Sequence, residues 1–430
     1  MPQGFTRGFT VLELIIVIAI MAVLAVILTI ILSPAELISR TRDSQRLSDL
    51  RSLKIAIDLL SANDVVFDPD GPNYADSCAG ESAQNVFFSL PSEEGAPVLP
   101  SGWSPAQVAL ADIRNIDGSG WLPLHFANGN SALPVLPVDP INSLVRNLYY
   151  TYVCSRNPHF ELTARMESKR HARHGSEDKA STDGGDDPFV YETGNNLQLN
   201  PMAPLGMWAF DDASGAVARD GSRYQNHATL VDASPTNGDG ATPPQWLSSS
   251  SCISGSCVQF DGTDDYVRIS SHFPSFANKI FRDFTVIFWL YKGQGGTPTF
   301  FMGGTNSSVD EFLVKGTGGG GNPLQLVINS FAQSTGTPAN EFEDKWAHIA
   351  IVKKGSMATI YVDGAARYEA ARAQWAEINF EGSHLLWGAA YSSPNGSLSG
   401  TSFYSGRMDE AFLYDRALQE SEIKQHVRTP

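Results

Sequence analysis

Glu13 is the one charged residue in an apolar stretch running from Phe9 to Leu32, which is otherwise interrupted only by Thr10 and Thr29. At about 1.5 Å per residue, a helix over that stretch reaches across the roughly 30 Å of hydrocarbon in a bilayer. A carboxylate at that depth costs several kcal/mol unless a partner relieves it, so Glu13 reads as a residue kept for an interaction. Ahead of the stretch stands the short leader MPQGFTRG, with one arginine and a terminal glycine. An ordinary secretory signal has a shorter apolar core and a small-residue cleavage site after it, and neither fits here. The four cysteines form a distant pair, Cys78 and Cys154, and a close pair, Cys252 and Cys257. Disulfides are expected for an exported chain, with three connectivities open in principle. The Ile253-Ser254-Gly255-Ser256 connection suits a tight turn and a bond between Cys252 and Cys257. Cys78 with Cys154 is the second expected pairing, although nothing local brings the two together.

Carboxylates could support glycoside hydrolysis, which needs two of them facing across the scissile bond. No Glu-x-Asp-x-Glu alternation occurs, and the nearest approach is Glu341-Phe342-Glu343-Asp344, ahead of Trp346. Asp264-Asp265 and Asp409-Glu410 are adjacent, which within a strand would point their side chains to opposite faces. Gly318–Gly321 lacks the Lys-Ser/Thr ending of a phosphate loop and reads as a hairpin connection. His171 and His174 stand three apart without nearby cysteines or further histidines, and no Gly-x-Ser-x-Gly elbow is present. No enzyme activity is expected. Oxygen ligands for a hard cation are better represented, with Asp220 and Asn226 in RDGSRYQNHATL and Asp409 in GRMDEAF. Trp246, Trp375, Tyr391 and Tyr404 fall in loop-like stretches where a sugar could stack, whereas Trp208, Trp289, Trp346 and Trp387 fall in strand-like runs expected to be core.

The net charge of −16 and the lack of a basic stripe argue against nucleic acid as a partner. With 42% apolar and 18% charged residues the chain is suited to packed domains, and its 430 residues allow two beyond the apolar helix.

After the apolar stretch, Ser33-Pro34-Ala35-Glu36 reads as a helix restart, with proline at a first helical position and a possible Ser/Glu capping box. Leu47, Leu50, Leu53, Ile57 and Leu60 then recur at helical spacing, predicting an amphipathic helix kinked at Pro34 and entering a head domain. Within residues 61–204, strands are expected at Val86–Phe88, Leu148–Val153 and Phe160–Thr163, and turns at 117–121 and 138–142. The basic and acidic residues between Arg165 and Asp187 read as a solvated loop. From Leu205 onward, short β-prone runs alternate with Gly, Ser, Asn and Asp turns, which predicts a two-sheet sandwich.

Gly8, Phe9-Thr10, Glu13 and the following apolar run closely resemble the class III signal of type IV pilins and pseudopilins. The resemblance implies cleavage by prepilin peptidase between Gly8 and Phe9, N-methylation of Phe9, and a role for Glu13 in meeting a neighbouring subunit's amino terminus. The Gly and Pro that many pilins carry inside this helix are missing, and the arginines on both sides leave the orientation rule undecided. The segments MWAFDDASGAVARDGSRYQNHATL, CVQFDGTDDYVRI, DFTVIFWLY, WAHIAIVKKGSMATIYVDG and SGRMDEAFLYDRALQESEI together resemble the laminin G-like, concanavalin A-like jelly roll. That family implies a structural calcium where the Asp220/Asn226 and Asp409 segments approach.

The expected fold is therefore α+β followed by all-β. Residues 1–8 form a leader, 9–60 the membrane and amphipathic helix, 61–204 a pilin-like head with a small antiparallel sheet, and 205–430 the jelly roll. The expected role is a pilin-like surface subunit that displays a lectin-like adhesion module. It would sit in the cell membrane before assembly and on an extracellular pilus or the cell surface afterwards. Its partners would be other pilin subunits, the peptidase, and a surface glycan or glycoprotein. The alternatives are a pseudopilin of a secretion or DNA-uptake system with a non-binding jelly roll and, behind it, a membrane-tethered carbohydrate-active enzyme. Terminal-peptide mass analysis of surface material should find a chain beginning at N-methyl-Phe9; a chain beginning at Met1, or beyond Leu32, would reject the processing signal.

Overall fold

A computed structural model describes residues 10–63, 67–71, 78, 84–126, 133–155, 159–233, 242–269, 280–292, 298–304, 311–316, 323–329, 331–338, 343–379, 385–390, 398 and 403–429. Helix α1, Val11–Leu32, starts from a reciprocal cap. Thr10 Oγ1 accepts from the Glu13 N–H at 3.2 Å and Glu13 Oε2 accepts from the Thr10 N–H at 3.0 Å. Two donors at a helix start are satisfied in this way. Every side chain described in α1, through Ala25, is exposed. Among the described residues no helix is long and apolar enough to cross a membrane; the expected span also takes in residue 9 and the side chains of residues 26–32, which lie outside them.

Ser33 takes a left-handed backbone (φ 37°), and Pro34 opens helix α2, Pro34–Asn63. The kink thus falls where the proline predicts. The Ser33 carbonyl accepts from the N–H groups of Glu36 and Leu37. The Glu36 carboxylate serves a different purpose from the expected capping box, accepting from Arg40 and from the backbone N–H groups of Lys169 and Arg170.

The α2 stripe is buried as its spacing requires. Leu50, Leu53 and Ile57 are fully covered, with Leu47 and Leu60 partly so, against Tyr150, Tyr152, Phe160 and Leu162. Those partners belong to a five-stranded sheet in the order Trp103–Ala106, Gln84–Phe88, Tyr150–Cys154, Phe160–Ala164, Tyr191–Gly194. The first pair is parallel and the rest are antiparallel. Cys78 is bonded to Cys154. Arg46 is wholly buried on the inner face of α2, donating to both oxygens of Asp139 at 2.6 and 3.0 Å and to Asp43 at 2.7 Å. Asp43 in turn accepts from the N–H groups of Glu167 and Ser168.

The carboxy-terminal part is a sandwich of two antiparallel sheets. One runs Ala365–Ala371, Met357–Val362, Trp346–Lys354, Asp283–Lys292, Ser405–Tyr414, Cys257–Asp261, Gln245–Leu247, with Gly206–Trp208 also paired to Ser405–Tyr414. The other runs Phe331–Pro338, Pro323–Ile328, Glu311–Gly316, Thr299–Gly304, Leu385–Trp387, Asp265–Ile269, Ala228–Asp232, Val217–Ala218. Alternation along each strand sends one set of side chains between the sheets. Phe288, Phe301 and Trp387 meet there, with Phe301 and Trp387 centroids 4.5 Å apart. The outer face of the first sheet is apolar too, at Ile287, Ala350, Phe412 and Tyr414. It is covered by Phe189 from the head and Ile423 from the terminal helix α3, Glu420–Arg428.

Residues 165–187 are only in part the solvated loop that their charges suggest, since Lys169, Glu177 and Lys179 are exposed while other members are not. Ala172, Arg173, Ala180, Asp186 and Asp187 are buried, with Arg173 paired to Glu410 of the sandwich and Asp186 to Arg223. Removing one partner of a buried ion pair strands the other and costs about 3–5 kcal/mol. Arg46→Ala should therefore lower the unfolding free energy by about that amount, measured as a shift of the urea midpoint at unchanged slope.

Candidate functional site at the junction of head and sandwich

The first sheet contains a bulge where Glu410 and Ala411 together oppose Phe288, and Glu410 takes a left-handed backbone (φ 50°). The extra residue re-aims the side chains beside it. The Glu410 carboxylate, fully buried, points to the head, where Arg173 grips it at 2.7 and 3.0 Å and His174 Nε2 lies 3.7 Å away. Asp409 faces the Cys252–Cys257 turn instead, accepting from the N–H groups of Ile253 (2.8 Å) and Ser254 (3.1 Å). That turn is closed by the expected Cys252–Cys257 bond. Asp211 completes the cluster by accepting from Ser256 N–H at 2.8 Å.

Burial raises Glu410, but Arg173 and His174 more than offset it and hold the carboxyl below its usual range. Asp409 has no such partner. Burial, then the charges of Glu410 and Asp211, push it up to about 8. Ser254 Oγ lies 3.5 Å from His174 Nε2, so Ser254, His174 and Glu410 are all present at one spot. The same ring nitrogen faces both the hydroxyl and the carboxylate, so the histidine is not oriented by one group while accepting a proton from the other, as a nucleophilic relay requires. The cluster's chemistry is adhesion between the two halves of the chain.

The expected calcium ligands receive separate partners. Asp220 spends Oδ1 on the N–H groups of Met207 and Ser222, and Oδ2 on Ser222 Oγ and the Asn226 N–H. Asp220 and Asn226 are thus brought together through a backbone bond, while Asp409 serves the disulfide turn. The trio does not present a shared oxygen cage. His171 turns to Asp43 and Glu177, and His174 to Glu410, so the histidine pair diverges. Among the loop aromatics, Trp375 and Tyr404 are fully buried members of the sandwich core. Trp246 stands in the strand Gln245–Leu247, partly buried, with Nε1 donating to the Gly215 carbonyl. Trp208 and Trp387 are core as expected; Trp289 and Trp346 are only half-buried. Gly8, Phe9, Gly318–Gly321, Glu341 and Tyr391 lie outside the described residues.

Sequence reasoning missed a nest of acids in the head. Glu161, Glu192, Asp186 and Asp187 are each almost fully buried. Glu161 Oε2 accepts from the N–H groups of Leu199 and Asn200, Glu192 Oε2 from that of Asp187, and Asp186 pairs with Arg223 Nε at 2.7 Å. Burial, and then Glu161 itself, drive the Glu192 carboxyl well above its ordinary value. Beside the nest, a cavity of about 20 Å³ is lined by Thr151, Thr163, Arg165, Asp187, Arg416 and Glu422. The Asp183-Gly184-Gly185-Asp186-Asp187 run was the available signal, but charge runs in sequence read as solvated.

In sequence, residues 261–424 match the concanavalin A-like lectin/glucanases superfamily, and the chain carries a domain of that type there. No curated protein matches the chain. Solved structures similar to it include domain 4 of an extracellular arabinanase from Geobacillus stearothermophilus in complex with arabinotriose. That likeness has 14% identity and a TM-score of 0.38, and covers 52% of this chain and 98% of that one. A heptameric SAP-like pentraxin from Limulus polyphemus gives 16% identity over 39% of this chain and 79% of that one, with a TM-score of 0.33. For a Trypanosoma rangeli sialidase in complex with the inhibitor DANA the values are 16%, 52%, 32% and 0.36, so the chain spans about a third of that enzyme's length.

A carboxyl raised from its ordinary 3.8 to about 8 favours the folded state below the unfolded pKa and loses that contribution as pH rises through the folded one. Asp409→Asn retains an oxygen for the Ile253 and Ser254 N–H groups while removing the titration. Melting curves should show the wild type losing stability relative to Asp409→Asn between about pH 4 and pH 8; parallel curves would exclude a protonated Asp409.

Proposed function

We propose that this chain is a pilin-like surface subunit that is rooted by its amino-terminal helix and displays a lectin-type module for a surface glycan or glycoprotein. The observation that carries the reading is α1. It is an apolar helix whose described side chains are all exposed, joined through the Ser33–Pro34 kink to an α2 that packs on a five-stranded, mostly antiparallel sheet. An uncovered apolar helix of this kind is stable only against lipid or against like helices of neighbouring subunits. Glu13, charged and at the amino-terminal end of that surface, is the group that selects a partner. Before assembly the helix lies in the cell membrane; after peptidase cleavage the subunit joins or decorates a filament outside the cell.

The lectin/glucanase-type domain supports the choice of a glycan as ligand, and a module tied to the head at several buried points supports display. The pseudopilin alternative keeps the same helix and makes the sandwich a packing element. Glu13→Val should leave membrane insertion intact and sharply reduce filament incorporation, read by fractionation of sheared surface material. The detergent-solubilised chain, screened on a glycan array and against whole cells, should bind a defined glycan class. Glycan and cell binding absent from a folded, correctly processed chain would favour the pseudopilin alternative.

A further inference from the structure

The outer face of the first sheet, where α3 docks, holds two buried histidines. His348 lies in Trp346–Lys354 and alternates onto the same face as Ala350 and Val352. His426 lies on α3 three residues after Ile423, so both project from one side of the helix onto the sheet. His348 is fully covered and His426 is 4% exposed. Their ring centroids stand 6.4 Å apart. The cage around them is aromatic. Trp289 lies 5.2 Å from His348, while Phe189 and Phe412 lie 4.1 and 4.8 Å from His426. Phe189 comes from the head, so this cage joins the head, the sheet and α3.

Hydrogen bonding here suits neutral rings. His426 Nε2 meets the Tyr414 hydroxyl at 3.0 Å, and among the described residues the other three ring nitrogens have no partner. An imidazolium carries a donor on both nitrogens, so protonating either ring would bury a charge and a donor together without a partner.

The surrounding charges oppose it further. Arg173 of the head lies over the Phe189 and Phe412 rings at 5.4 Å from each, and with Arg165 and Arg416 it repels a charged His426. The acids of the junction are committed elsewhere. Glu410 pairs with Arg173, Glu422 with Arg416, and Asp187 accepts from the Phe189 N–H. Asp363 accepts from the backbone N–H of His348 and not from its ring, and Glu420 pairs with Lys424 on the exposed side of α3. Burial pushes His348 down to about 3, and burial, then His348 and the arginines, holds His426 well below its ordinary value.

We propose that His348 and His426 form an acid-released latch, in which mild acid frees α3 and the Phe189 contact from the sandwich because both rings gain protons only when that contact opens. α3 is the element that gives way. Its nine residues are too few to hold a helix alone, and it buries Glu422, Ile423 and His426 against the rest of the chain. Once it lifts, each ring meets water and takes up a proton near the ordinary histidine value of about 6.5. Groups lowered in the closed state favour it fully above that value, and the contribution is lost as pH falls from there toward the closed-state values. Each histidine thus raises the opening constant about tenfold per pH unit below about 6.5. The latch concerns the join of head and sandwich and stands whether or not the sandwich binds a glycan.

The test is hydrogen exchange of the full chain in detergent between about pH 7.5 and pH 5, corrected for the intrinsic amide rate. The opening constant of α3 should rise by more than about tenfold from pH 6.5 to pH 5, while Asp283–Lys292 in the core stays protected. His348→Leu removes two unpartnered nitrogens and keeps the face apolar. It should leave α3 at least as well protected at neutral pH and halve the proton dependence of opening. His426→Gln keeps a polar group for the Tyr414 hydroxyl and should halve that dependence as well. Protection of α3 that does not change with pH overturns the proposal, as does a proton dependence undiminished in either folded variant. Loss of protection in α3 and Asp283–Lys292 together would be global unfolding, and it overturns the latch too.

Discussion

The Arg173–Glu410 ion pair lies fully buried between the head and the sandwich, and a buried pair of that kind tolerates the loss of neither partner. Its existence depends on the bulge in Ser405–Tyr414, which turns Glu410 out of register toward the head. The same strand holds the sandwich together, pairing with Asp283–Lys292, Cys257–Asp261 and Gly206–Trp208. The strand that organises the carboxy-terminal core therefore also carries the contact to the amino-terminal half. Around it, Phe189 lies against Phe412 and His426, Arg416 donates to the Met202 carbonyl while paired with Glu422, and Arg165 bonds Gln425.

Buried acids recur throughout, and the structure manages them in three ways. Asp139, Glu410 and Glu422 are paired with fully buried arginines at hydrogen-bond distance. Asp43 and Asp220 are surrounded by backbone donors, which stabilise charge without a cation. Glu192 is raised well above the usual carboxyl range by burial and by the neighbouring Glu161. The excess of acid in the composition is thus distributed inside the fold as well as over its surface.

Much of this architecture is legible in the sequence where its signal is local. The α2 stripe, the break at Pro34, the close disulfide and the strands rich in Val, Ile and Phe each follow from a few neighbouring residues. Phe331–Pro338 and Ala365–Ala371 carry a weak signal because they are edge strands poor in apolar alternation. Trp375 and Tyr404 were read as loop aromatics because one sits in the short 3-10 helix Ala373–Trp375 and the other just ahead of the strand Ser405–Tyr414, in sequence that reads as loop. The junction site escaped for a different reason. Arg173 and Glu410 are separated by most of the chain, and only the closed fold shows that the charges of residues 165–187 have partners inside it.

The link between the two halves bears on what a displayed module can do. The connecting residues after Tyr191–Gly194 are pinned on both sides: Arg223 donates to the carbonyls of Gln198 and Asn200, and Arg416 to that of Met202. A flexible tether would leave the module free to tumble, and binding would then have to freeze that motion at an entropic penalty. Here the orientation is set beforehand by direct contacts, of which the Arg173–Glu410 pair is buried. They run from Glu36 on α2 to the backbone of Lys169 and Arg170, through Arg173 to Glu410, and along Ser405–Tyr414 to the strand Cys257–Asp261. In the proposed display role, a force applied at the sandwich rim reaches α2 through ion pairs and strand ladders rather than through a slack linker. This also gives the charged segment 165–187 a purpose that its composition conceals, since its buried arginine and acids make one body of the head and the sandwich.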